Sequence, residues 1–191
     1  MASIWVESLG RNFEHALGLL EAAMGDCPDE LWESSMWEVP VRAADKDLHG
    51  PDGQLVTDPG SRHALTQRSS TPWGVAWHAL EVLDYDLTGE FAPWSPPPPL
   101  TGKAHWRDLT MLPTSWSRSD LLGYLDYCRQ RVRETLKDMT DEKAGTLLPP
   151  AHRYRGQPYA WILTGIPGHT IEHASQIRQF ITAAGIERAP S

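Results

Sequence analysis

Cysteine is scarce in this sequence, which excludes a fold built on disulfides. Cys27 and Cys128 are its two cysteines among 191 residues, and neither belongs to a Cys-x-x-Cys motif. Two isolated cysteines do not make a disulfide framework. A reducing compartment is the simplest setting for such a chain, so we expect a cytoplasmic protein.

Positive charge and long apolar runs are also lacking. The 17 Lys and Arg are outnumbered by 25 Asp and Glu, and the formal net charge is −8. Nucleic acids and anionic membranes both favour a basic face, so we expect neither as a partner. No apolar run approaches the ~20 residues that a bilayer span requires. The first ten residues have neither a basic region nor a continuous apolar region, which argues against a secretory signal.

Apolar residues with helical spacing are what the chain does contain. They recur every three or four positions over four stretches, which predicts an all-α fold with four long helices. The length of 191 residues predicts one domain covering residues 1–191. Short helical turns are expected after Pro28 and Thr140. The long helices are predicted near 4–24, 72–88, 117–139 and 158–184, the last one interrupted or kinked at Gly165-Ile-Pro-Gly168.

Two long connections separate these helices. Residues 38–70 show no lasting helical period, and Asp52-Gly53 gives a weak hairpin signal there. Residues 90–117 are rich in proline and too long for a tight antiparallel turn, so they favour a crossover between parallel second and third helices. The stiff proline run suits such a crossover, with a ligand for an SH3 domain as the alternative.

The most informative stretch is Gly165–Phe180. On a helix, His169 and His173 lie one turn apart and about 40° from each other around the axis, so both imidazoles can reach one metal ion. With eight histidines in the sequence, chance alone gives about a third of one such pair. His78, on the predicted second helix, supplies a third imidazole, although a histidine on an apolar face is ordinarily a packed core residue.

Three imidazoles with one vacant position are typical of a catalytic metal site rather than a structural one. Neutral imidazoles suit zinc, nickel, copper or iron(II). Glu81, Glu172 and Gln176 lie close enough in helical geometry to orient the imidazoles or to carry protons.

The other histidines and Cys128 have simpler interpretations. His15 falls on the outer side of the first helix, and His49 and His63 lie in a polar connection, so we expect all three to be solvated. Cys128 belongs to the apolar stripe of the third helix, where a buried and inert thiol is expected.

A peptidase motif is the rival interpretation. His169-Thr-Ile-Glu-His173 matches His-x-x-Glu-His, in which Glu172 would be the general base. Such enzymes need a further acidic ligand downstream, and only Glu187 follows here. They are also larger proteins with extensive sheets, so we favour the helical metal site.

The layout of the chain resembles the DinB-like superfamily, which includes the YfiT and mycothiol-dependent isomerase branches. The resemblance rests on His78 near the start of helix two, the long crossover, and a final His-x-x-x-His-x-x-Gln-Ile formed by His169, His173, Gln176 and Ile177. It implies an up-down-down-up four-helix bundle, a divalent zinc, nickel or iron ion on the three histidines, and often a homodimer. The long connection after helix one and Pro167 before the motif depart from that pattern.

Two functions remain open at this point. Several branches of that superfamily use low-molecular-weight thiols such as mycothiol or bacillithiol, which implies a metal-dependent thiol S-transferase acting on a small molecule. Trp73, Trp77 and Trp161 would then form an apolar wall for the substrate. The alternative is a non-catalytic metal-binding or stress-response protein of the same fold. No lone reactive cysteine is expected, so the sulfur would have to come from a cofactor.

Overall fold

The structure, a computed structural model, describes residues 4–40, 54–95, 97 and 115–186. Within these ranges the chain forms helices and no β-strand, which confirms the all-α class. One isolated antiparallel bridge joins Leu147 to Pro158 just before the last helix. The seven helices are α1 Ile4–Asp26, α2 Asp29–Trp32, α3 Pro59–Arg68, α4 Pro72–Asp86, α5 Arg118–Lys137, α6 Asp141–Gly145 and α7 Tyr159–Ala183.

Four long helices surround a common apolar core. Helices α1 and α4 each pack against both α5 and α7. The stripes predicted for α1 and α5 face this core, and Phe13, Leu20, Leu121 and Leu125 are all fully buried. Burying a side chain of this size stabilises the fold by about 1.5–3 kcal/mol relative to leaving it in water. Packing of the stripes therefore determines how these helices meet.

Helix α4 is the most buried helix, and its predicted start is confirmed. The Thr71 hydroxyl accepts a hydrogen bond from the Gly74 amide at 3.1 Å, and Pro72 occupies the first turn. A Cβ on Gly74 would lie 2.1 Å from the Arg68 carbonyl oxygen, so the end of α3 packs directly on this turn. Gly89 ends the segment with φ +58°, as predicted.

Helix α3 corrects the expectation that residues 38–70 contain no helix. Only Leu65 of its ten residues is buried, so the segment carries no apolar stripe that could reveal it. A local start signal was nevertheless present, because Asp58 caps the helix by accepting from the Ser61 amide at 2.8 Å, with Pro59 next. The predicted Asp52-Gly53 turn and His49 lie outside the described residues.

Helix α7 corrects the expected interruption at Gly165-Ile-Pro-Gly168, whereas the alternative of a kink there stays a prediction. It runs without interruption from Tyr159 to Ala183, with the buried Pro167 inside it. Proline lacks an amide hydrogen and therefore removes one backbone bond, that to the Leu163 carbonyl. Burial of Ile166 and Pro167 against the neighbouring helices offsets this loss.

Most of the proline-rich connection at 90–117 lies outside the described residues. No helix in the described part of the chain combines the length and the hydrophobicity that a membrane span requires.

Candidate metal centre

Helices α4 and α7 bring three histidines together. The ring centroid of His78, on α4, lies 5.3 Å from that of His169 and 5.0 Å from that of His173, both on α7. The two α7 rings are 4.4 Å apart. One nitrogen from each ring can be chosen so that all three lie within 4.8 Å of one another. These three histidines, predicted from the sequence, form a group that could hold a metal ion.

Hydrogen bonding indicates which nitrogens face the centre. His173 Nδ1 is 2.8 Å from the amide oxygen of Gln176. Since that oxygen can only accept, His173 Nδ1 carries the proton and Nε2 presents its lone pair. His173 Nε2 lies 3.1 Å from His169 Nε2, so two potential ligand atoms point at each other.

The spacing of these nitrogens suits a divalent metal. Nitrogen ligands at about 2.1 Å from a tetrahedral or octahedral ion are separated by about 3.0–3.4 Å. The 3.1 Å between the His169 and His173 Nε2 atoms falls in that range. His169 Nδ1 is buried and has no hydrogen-bond partner within the described ranges. The donor set therefore fits a metal that prefers imidazole, such as zinc, nickel or iron(II).

Burial keeps the imidazoles of His78 and His169 neutral. Desolvation, and then the neighbouring His173 and His169, lower the pKa of His78 to about 3. The pKa of His169 falls to about 4, again mainly because of burial. Both rings are consequently unprotonated at neutral pH, which is the form that binds metal. Protons compete with a metal at these two rings only in acid.

The three predicted supporting residues have different positions. Gln176 contacts His173, as the helical spacing indicated. Glu81 is fully buried on α4, one turn beyond His78. Glu172 is exposed, and in the described part of the chain no hydrogen bond links it to the three imidazoles. The exposure of Glu172 does not favour the peptidase interpretation, which needs this carboxylate as the base at the metal.

The predicted tryptophan wall is mostly wrong. Trp73 and Trp77 are each 1% exposed and fill the core between the helices, so they present no surface to a substrate. Trp161 is 49% exposed and packs edge-on against Tyr154, with ring centroids 4.9 Å apart.

A groove that the sequence did not indicate lies beside the centre instead. It has a volume of about 320 Å³ and includes Gln176, the partner of His173. Trp37, in the segment after α2, and Phe180, on α7, form its apolar part. Its lining residues are Met36, Trp37, Gln176, Gln179, Phe180 and Ala183.

The exposure of His15 and His63 and the burial of Cys128 agree with the sequence prediction. His15 and His63 are exposed, although His63 lies on α3 rather than in a loop. Cys128 is fully buried, its thiol donates to the Leu80 carbonyl at 3.6 Å, and burial raises its pKa well above the usual range. Sequence reasoning overlooked His152, which is 2% exposed and stacks on Tyr85.

Comparisons of the chain with protein-family models, with curated proteins and with solved structures found no match. The resemblance to the DinB-like superfamily therefore stays a prediction. Fold and site together define an all-helical protein whose three-histidine group could hold a metal ion.

Proposed function

We propose that this protein is a DinB-like four-helix bundle that binds a divalent metal through His78, His169 and His173 and uses it to transfer a low-molecular-weight thiol. The observation that carries the proposal is the meeting of three imidazoles from α4 and α7 at one point. Two of them are neutral at physiological pH because burial lowers their pKa values.

Contacts between helix ends support the up-down-down-up order. The Tyr159 hydroxyl, at the start of α7, donates to the Leu87 carbonyl at the end of α4, so these two helices run antiparallel. Arg118, at the start of α5, donates to the Met24 carbonyl near the end of α1, which makes that pair antiparallel as well.

A contact between α1 and α7 also supports this order. Thr164, near the start of α7, lines a groove with Ile4 and Trp5 at the start of α1, so α1 and α7 run parallel. Helices α4 and α5 then both run opposite to α1 and α7. The length of the 90–117 connection is consistent with that parallel middle pair.

The chemistry follows from the donor set. A bound divalent ion lowers the pKa of a thiol, so that the sulfur reacts as a thiolate at neutral pH. The proposed transfer forms a bond between that sulfur and an electrophilic carbon, whose leaving group departs with the bonding electron pair and takes up the thiol proton. Gln176 keeps the His173 Nδ1 proton in place, which directs Nε2 at the centre.

The sulfur must come from a separate molecule. Cys27 and Cys128 are buried, and burial raises the pKa values of both thiols, that of Cys27 to about 11. Neither side chain is therefore a thiolate at neutral pH or open to a substrate.

Metal analysis of the purified protein tests the site. We expect about one divalent ion per chain in the unaltered protein, near zero in His78→Ala, and about one in the control His63→Ala, whose histidine is exposed on α3. A stoichiometry near zero in the unaltered protein after incubation with zinc, nickel and iron(II) would refute the metal centre.

Turnover tests the chemistry. A panel of thiols, including mycothiol, bacillithiol and glutathione, is offered with chlorodinitrobenzene as electrophile, and we expect product with at least one thiol and none with His169→Ala. One metal ion per chain without turnover for any thiol would instead favour the non-catalytic metal-binding protein. The homodimer implied by the resemblance belongs to the proposal and is tested by measuring the solution mass.

A further inference from the structure

The groove beside the metal centre is aromatic and uncharged. Trp37 and Phe180 contribute two rings to it, and Gln176 and Gln179 contribute two amides. None of its described lining residues carries a charge, although the chain as a whole has a net charge of −8. Trp37 is 42% exposed, so much of its ring is open to contact with a ligand. A groove of about 320 Å³ with this lining suits an aromatic ring better than a charged group.

The wall that contains Trp37 is anchored on the end of α3 and the residues that follow it. The Met36 amide donates to the Ser70 carbonyl at 2.9 Å. Three residues further along, the amide and the carbonyl of Val39 both bond to the side chain of Gln67. Trp37 therefore lies between two fixed positions of the backbone. A wall that is in place before binding lowers the entropic cost of binding a ligand.

The opposite wall continues the face of α7 that carries the histidines. On a helix, Gln176 and Phe180 each lie about 20° from His169 around the axis, and His173 lies about 40° from it. Helix α7 is continuous through this stretch, so the four residues share one stripe. From His173 to Phe180 the stripe extends about 10 Å along the helix. The groove thus lies on the same side of α7 as the two imidazoles.

Gln176 belongs both to the groove and to the metal centre. Its side-chain oxygen accepts a hydrogen bond from His173 Nδ1 at 2.8 Å, while His173 Nε2 lies 3.1 Å from His169 Nε2. The groove therefore begins one imidazole ring away from the point where the histidines meet. All three imidazoles are partly exposed, so a ligand can reach them from solution.

We propose that this groove binds an uncharged aromatic ring of the electrophile, whose reactive carbon then meets the thiol sulfur at the three-histidine centre. The substrate class is an aromatic electrophile without a charged ring substituent. A sulfur–carbon bond forms and the bond from that carbon to its leaving group breaks. The leaving group departs with the bonding electron pair and takes up the thiol proton. This inference rests on the proposed function and adds the class of substrate to it.

Fluorine NMR with an unreactive ring tests the groove without any assay of turnover. The probe is trifluoromethylbenzamide, titrated into the zinc-loaded and the cobalt(II)-loaded protein. We expect saturable binding to both forms and faster relaxation of the bound fluorine signal in the cobalt(II) form, because cobalt(II) is paramagnetic. Absence of binding would refute the groove as a ligand site. Equal relaxation in the two forms would refute its link to the centre.

A charged analogue tests the class of ring. The metal-free protein is titrated with trifluoromethylbenzamide and with trifluoromethylbenzoate, so that no ion can capture the carboxylate. We expect the benzoate to bind at least about tenfold more weakly, because the described lining offers no positive charge to pair with it. Equal affinity of the two probes would overturn the assignment to uncharged rings.

Variants locate the probe. Trp37→Ala and Phe180→Ala should each weaken its binding about tenfold, because each removes one aromatic contact, while uptake of cobalt(II) stays at about one ion per chain. Trp161→Ala is the matched control, since this tryptophan is 49% exposed on the same helix as Phe180 but does not line the groove. Unaltered affinity in Trp37→Ala would refute the assignment. If Phe180→Ala fails to fold, Trp37→Ala still decides.

The proposed function and this inference fail in different ways. A protein that takes up no cobalt(II) refutes the metal centre, and with it the proposed function. A protein that takes up cobalt(II) but does not bind the probe refutes only the groove. A dimer that dissociates in Trp37→Ala would place a second copy of the chain in the groove and would also overturn the inference.

Discussion

Asp84 and His78 both lie on helix α4, and they differ in how their hydrogen-bonding capacity is met. Asp84 is 0% exposed and accepts from Trp94 Nε1 at 2.8 Å, the Tyr124 hydroxyl at 3.2 Å and Arg131 Nε at 3.3 Å. His78, six residues earlier, faces two other imidazoles. The Asp84 carboxylate accepts hydrogen bonds from protein donors, whereas the imidazole of His78 faces two other imidazoles.

The difference separates a group that supports the fold from one that can bind a ligand. Burial raises the pKa of Asp84, and its bonds to Trp94, Arg131 and Tyr124 act against that rise. At the histidines, burial and the two neighbouring imidazoles lower the pKa of His78 and leave it neutral. A cation from solution can bind the nitrogens of these histidines. This is the physical basis for assigning metal binding to the histidines and not to Asp84.

The largest effect should come from metal binding itself. Zinc at about 1,000 times its Kd should raise the free energy of unfolding by about 4 kcal/mol, because only the folded chain assembles the three imidazoles. Urea unfolding with and without zinc measures this. We expect no increment in His78→Ala and a full increment in Asp84→Asn. Equal increments in both variants would erase the contrast between the two groups.

Loss of the Asp84 carboxylate should produce the next largest effect. Asp84→Ala should lower the free energy of unfolding by about 3 kcal/mol, because the buried Tyr124 hydroxyl loses its acceptor and Arg131 its carboxylate partner. Chemical denaturation measures the change. Asp126→Ala is the control, since that carboxylate is 73% exposed in its pair with Arg129 and should change stability by about 0.5 kcal/mol or less. Similar losses in both variants would contradict a structural role specific to Asp84.

Removal of the Gln176 amide should have a smaller effect. Gln176→Leu deletes the acceptor of the His173 Nδ1 proton and should weaken zinc binding by about 10–100-fold, as loss of such supporting contacts typically does. Competition with a chromogenic chelator gives the Kd. Gln176→Glu retains an acceptor and should bind zinc tightly, and Gln179→Leu, in the same groove, should leave the Kd unchanged. Unaltered affinity in Gln176→Leu would show that the tautomer does not depend on this contact.

The last prediction concerns the pH dependence of the metal-free protein's stability. The folded-state pKa values of His78 and His169 are lowered to about 3 and about 4, so below pH ~6.5 the unfolded chain binds more protons than the folded one. Stability should therefore fall as pH drops from about 6.5 toward 4, by up to about 1.4 kcal/mol per pH unit for each group. Urea unfolding along this range should show a shallower slope in His78→Phe than in the unaltered protein. Parallel slopes would mean that His78 is not desolvated.

Local sequence patterns predicted the helices whose apolar residues recur at the helical period and are buried in the core. The stripes of α1 and α5 faced the core, and Thr71 with Pro72 marked the start of α4. Helix α3 was not predicted because most of its side chains are polar. A long-range contact stabilises it instead. The side-chain amide of Gln67 accepts a hydrogen bond from the Val39 backbone amide at 3.0 Å and donates one to the Val39 carbonyl at 2.8 Å.

Local sequence patterns predicted only part of the candidate site. His169 and His173 share one helix, so their spacing predicts their proximity. The environment of Trp73 was misjudged because sequence period does not distinguish a core tryptophan from one that lines a pocket.

The sequence alone determined the helical class, the caps of α4, and the pairing of two imidazoles on α7, because each depends on residues within a few positions of one another. Only the tertiary structure decided that His78 joins that pair and that Trp73 fills the core. Those relations depend on how α4 and α7 pack against the other long helices, and this packing is a property of the whole core rather than of any single segment.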